Sequence, residues 1–243
     1  MNTESRNGIF PWFTIIEGIA GFFLQCWLFS AIDLSGLLPA GHIAGILSFC
    51  LLALTLVICW IGARKEEDLC PDKLFFSSGA SAVGIGLSAA GLAISAFTVK
   101  GPDILHILAF ASGLLAAVAL GYIAVCRARK FHADAMLHSI ITIHLILRTM
   151  VSCSSWSAQP QFLQYFFPLL ACVFLMITSY YRAALALGLE HSKKYVFFSQ
   201  AALFCCCVCC RGSDWLFYLS GALWLTFDCP APSAALEEFS ENE

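Results

Sequence analysis

Long apolar runs recur along this chain at about 9 to 32, 40 to 63, 75 to 99, 104 to 126, 135 to 153, 162 to 187, 195 to 210 and 214 to 228, with only short polar connections between them. A helix needs about 20 apolar residues to cross the hydrocarbon core. Bare backbone N–H and C=O groups are too costly in lipid, so runs of this length must be helical. Composition agrees: 60% of the 243 residues are hydrophobic and 12% are charged, with a mean hydropathy of +0.82. A soluble domain carries about 25% charged residues.

The pattern predicts an all-α polytopic membrane protein, a bundle of about eight transmembrane helices. It forms one transmembrane domain over 1–229, followed by a disordered acidic cytoplasmic tail over 230–243. The last two runs cover only about 22 Å at 1.5 Å per residue. Six spans plus a re-entrant hairpin is therefore the alternative.

The thirteen Lys and Arg residues orient the chain. Arg6, then Arg64, Lys65 and Lys73, then Arg127, Arg129 and Lys130, then Lys193 and Lys194 flank alternate spans, and Arg182 snorkels nearby. The opposite segments hold only Lys100 and Arg211, while Arg148 lies within span five. Cations near span ends face the cytoplasm, so both termini are expected there, in a cell membrane. No Asn stands in an N-x-S/T context, which fits a bacterial source. The first run contains Glu17 and ends without a small-residue cleavage site, so it is expected to remain as span one.

No catalytic signature is present. The Glu66-Glu67 pair lacks the following Arg of intramembrane CAAX-type proteases, and P-S-G-H, G-x-S-x-G, H-E-x-x-H and Walker-type segments are absent. This counts against an enzyme. The cations form no basic face, so no nucleic-acid partner is expected. Of six His, only His42 and His106 lie at matched depth near outer ends, too weak a pair for haem. Cofactors and metals are therefore expected to be none. The partners expected are the lipid bilayer and another membrane protein.

Polar residues inside spans mark where function resides, because a charge at the bilayer centre costs about 2.5–3.5 kcal/mol on insertion scales. Glu17 lies in span one, with Gly21 and Gln25 following at four-residue steps. Span five carries His144 and Arg148, also four apart and on one face. Depth matches Glu17 to His144, with Arg148 within reach, so Glu17, Gln25, His144 and Arg148 form a candidate intramembrane polar site. It reads either as a substrate or proton site or as a buried pair that docks spans one and five.

Small residues repeat at Ala109, Gly113, Ala117 and Gly121 in span four and at Ala80, Gly84, Ser88, Gly91 and Ser95 in span three. That spacing lets helix backbones approach closely. These two spans are expected to form the tight centre. Cys205, Cys206, Cys207, Cys209 and Cys210 contain two C-x-x-C spacings. A thiol oxidoreductase like the quinone-coupled disulfide-forming membrane enzymes would need a second outer pair, which is missing, so packing volume is the simpler account. Tyr180, Tyr181, Arg182, Glu190, His191, Lys193, Lys194 and Tyr195 read as an interfacial belt.

Three functions follow in order: an accessory or structural membrane subunit, a transporter of a small molecule or ion through the polar site, and a membrane thiol oxidoreductase.

Overall fold

The computed structural model describes residues 9–31, 42–65, 79–99, 101, 103–129, 131, 133–156, 162–189, 191–211 and 213–228. The acidic tail 230–243, the loop acids Glu66 and Glu67, His132 and Glu190 lie outside the described residues. Among the described residues the structure is all-helical, with α1 (Ile9–Ser30), α2 (Ile43–Lys65), α3 (Gly79–Ala96), α4 (Ile104–Ala128), α5 (Ala135–Trp156), α6 (Phe162–Ala186), α7 (Ser192–Val208) and α8 (Trp215–Asp228). The first six are long and apolar enough to cross a membrane. Their outward faces carry Ile16, Phe23, Leu54, Val118, Ile143 and other large exposed apolar side chains, a surface suited to lipid. The protein is a polytopic helical membrane protein.

Helix packing closes a ring. α3 packs on α4, α4 on α5, α5 on α6, α6 on α7, α7 on α8, and α8 returns to α3, while α1 and α2 lie against the outside of α7. α1 runs antiparallel to α2, since Glu17 meets Thr55 while Trp27 meets His42, and α3 runs antiparallel to α8, since Ser81 bonds Phe227 while Ser88 bonds Ser220. We call the end where α1 begins and α8 finishes the near end, and the opposite end the far end.

The two shortest helices are the most buried. α7 is enclosed by α1, α2, α6 and α8, and Ala201 through Cys206 are all buried. The centre is thus α7 and α8, and the expectation that α3 and α4 form it is corrected. At 1.5 Å per residue α7 and α8 span about 25 and 21 Å, below the roughly 30 Å hydrocarbon thickness. Their polar ends meet protein groups, which removes the need for full-length spans.

The small residues of α3 admit α8 as well as α4. A β-carbon on Gly84 would overlap the Phe227 ring, and one on Gly91 would overlap the Ser220 hydroxyl. Ser81 and Ser88 donate to the Phe227 and Ser220 carbonyls, both at 2.7 Å. In α4, Ala109, Gly113 and Ala117 are buried, but Gly121 meets nothing within 4 Å. On the other side of the bundle a β-carbon on Gly18 would lie 2.6 Å from that of Cys207. The Cys207 side chain thus fills space that α1 leaves open, and close packing in lipid is what holds these helices together.

Candidate functional site

Charged and polar side chains collect on one face of α8. Asp214, Phe217, Gly221, Trp224 and Asp228 follow one another at three- and four-residue steps and so share a face. Asp214 and Asp228 stand about 21 Å apart along the axis. Each acid is held by arginines from other ring helices.

At the near end, the Asp228 carboxylate is 0% exposed. It accepts from the Arg127 guanidinium of α4, from Arg182 Nε of α6 at 3.0 Å and from the Tyr195 hydroxyl of α7 at 3.0 Å. Arg127, Arg182 and Tyr195 are themselves buried. An acid at a helix C-terminus opposes the helix dipole, whereas the arginines near the C-terminal ends of α4 and α6 complement theirs. Asp228 therefore owes its place to the two arginines and not to its own helix.

His138 of α5 lies within electrostatic reach of Arg182, Asp228 and Arg127. Its ring is fully buried, with neither nitrogen hydrogen-bonded among the described residues. Burying such a group unpartnered costs about 1–3 kcal/mol, so fold stability alone gives no reason for it.

At the far end, Arg148 of α5 donates to Asp214 Oδ1 at 2.7 Å, with its guanidinium 5.3 Å from the centre of the Phe217 ring. Between the two charged layers lies a cavity of about 20 Å³ lined by His144, Ser88, Ser220, Trp224, Leu120 and Leu175 among others, room for about one water. His144 Nδ1 pairs with Ser112 Oγ at 3.1 Å. Trp224 Nε1, which can only donate, is buried without an acceptor among the described residues.

The four residues expected as one site separate into two. His144 and Arg148 face the ring interior as described. Glu17 faces α2 instead, with Thr55 Oγ1 3.1 Å from its Oε2, and Arg211, just past α7, donates to the backbone carbonyl of Gln25 at 2.9 Å. The expected pairing of Glu17 with His144 or Arg148 is corrected. Equal depth in the membrane does not make two helices neighbours, and α7 is the helix that α1 packs on.

The interfacial belt is also revised in part. Tyr180 and Lys194 are exposed, and the Lys194 ammonium is 5.8 Å from the centre of the Tyr181 ring. Arg182 and Tyr195 do not snorkel to the surface but turn inward to Asp228. Sequence reasoning missed this cluster. Its available signal was an acid at one end of span eight, level with two arginines at the ends of spans four and six.

The thiols at the expected C-x-x-C spacings stay inside the packing. Cys205, Cys206 and Cys209 are buried and, with Cys207 and Cys210, are free thiols. Comparison of the chain with protein-family models, with curated proteins and with solved structures returned no match.

Proposed function

We propose that this protein transports a small solute or ion along a pathway inside the ring of α3 to α8. One observation carries the reading: a single face of α8 bears an acid at each end, each clamped by arginine from other ring helices, with a small, mostly apolar cavity beside His144 between them. Intramembrane charges that face a bundle interior mark substrate or ion pathways. An ion pair can part and re-form when a helix rocks, so two such layers serve as alternate gates of an alternating-access device. Both ion-paired layers are formed here, and the cavity between them has room for about one water.

The test is flux into liposomes containing this protein alone, over a panel of small anions, cations and neutral solutes. Flux of at least one solute above protein-free liposomes is expected. His144→Leu, which leaves both charged layers intact, is expected to reduce it.

A second reading, an accessory subunit, is favoured by Gly121, which lies on α4 with open space over it beside exposed Val118 and Tyr122. A backbone so bare on the lipid side suits close approach by another membrane helix. Absence of flux together with a stoichiometric co-purifying membrane protein would favour this second reading.

A further inference from the structure

We infer that Glu17 is a proton-binding site, a carboxylic acid that carries its proton inside the membrane between α1, α2 and α7. Burial without a counter-ion carries the argument, and the hydrogen-bond geometry at Thr55 accommodates it. Thr55 Oγ1 lies 2.9 Å from the Leu51 carbonyl oxygen and 3.1 Å from Glu17 Oε2. A threonine hydroxyl has one hydrogen, and a carbonyl oxygen can only accept. When that hydrogen goes to Leu51, the bond to Glu17 is made only if Glu17 carries the proton and donates it to Thr55. An ionised Glu17 would compete with Leu51 for the same hydrogen.

The surroundings agree. Glu17 is 7% exposed and sits opposite the middle of α2. From α2 it faces Thr55 and the Cys59 thiol; α7 brings Cys205 close to Cys59 and Cys207 against Gly18. No cation among the described residues pairs with it. The guanidinium of Arg211 is bound to the Gln25 carbonyl, eight residues and about 12 Å further along α1. An ionised carboxylate in that setting would be a buried charge without a counter-ion, which membrane helices avoid; a neutral acid with one hydrogen bond is accommodated. The site lies outside the ring, so it stands or falls separately from the transport reading.

Its test uses a lipid-soluble carbodiimide, dicyclohexylcarbodiimide, on the full-length protein in liposomes. The acid proton moves to a carbodiimide nitrogen and the carboxyl oxygen bonds to the central carbon, giving an O-acylurea that rearranges to a stable N-acylurea with no leaving group. Glu17 is expected to take up the whole reagent mass from neutral to mildly alkaline pH, located by peptide mass spectrometry. The rate should fall about tenfold per pH unit above the titration point of the group. A water-soluble carbodiimide should leave Glu17 unmodified.

Thr55→Val removes the hydroxyl partner and should alter the rate at fixed pH while the mapped position stays Glu17. The mapping uses the natural chain, so it holds even if a Glu17→Gln control folds poorly. Three results would overturn the inference. Glu17 could stay unlabelled in the folded protein, react equally with the water-soluble reagent, or be protected by sodium at constant pH. The last would reassign the site to a small cation.

Discussion

Replacing Asp228 by Ala is expected to destabilise the bundle by about 3–5 kcal/mol, because it removes the carboxylate from a buried set of two guanidiniums. The loss arises in the folded state: Arg127 and Arg182 are both buried, reach the same carboxylate from different helices, and share it with the Tyr195 hydroxyl. Asp228→Asn should lose less, since the amide keeps the volume and one acceptor. Combining Asp228→Ala with Arg182→Met should recover part of the loss, because a buried ion set can be exchanged for apolar packing more cheaply than it can be broken. Reversible unfolding in mixed detergent micelles measures all four proteins. Equal stability of Asp228→Ala and the parent would mean that the cluster does not hold α4, α6, α7 and α8 together.

The second large effect is steric. Gly84→Val is expected to cost about 1–3 kcal/mol through overpacking, since its side chain would enter the space held by the Phe227 ring. Driving α8 off α3 also threatens the 2.7 Å bonds from Ser81 and Ser88 to the α8 backbone. Phe227→Ala in the same chain should relieve the strain. Gly79→Val is the internal control: it lies on the same helix with nothing within 4 Å and should change little. Melting temperatures of the three variants in one detergent check the order.

Much of the fold was legible because the bilayer leaves few options. Hydrophobic run length gave the eight helices and their approximate bounds, and the polar character of Glu17, His144 and Arg148 marked residues that had to face inward. Lateral order was not legible. Which helices touch depends on fits between distant segments, such as the Phe227 ring over Gly84 and the Cys207 side chain against Gly18, and neither leaves a periodic trace. Arg127 and Arg182 were misread for a related reason. A cation near a helix end looks the same in sequence whether it reaches outward to headgroups or inward to an acid, and Asp228 decides between them only once α4, α6 and α8 are known to meet.

In the proposed pathway charged layers close the two ends of the ring, and Cys172 offers a thiol already in place to test this. This side chain is 1% exposed on α6, hydrogen-bonded to Tyr218 and Thr149 and within electrostatic reach of Arg148 and Asp214. Cys205, equally buried, lies towards Cys59 of α2, outside the pathway. Purified protein is treated with a charged methanethiosulfonate and each cysteine is followed by mass spectrometry. Cys172 is expected to be protected in the parent and to become modified in Asp214→Ala, while Cys205 stays protected. If Cys172 stays protected when Asp214 is removed, or if Cys172 and Cys205 become reactive together as in a general loosening, the far ion pair is not a gate.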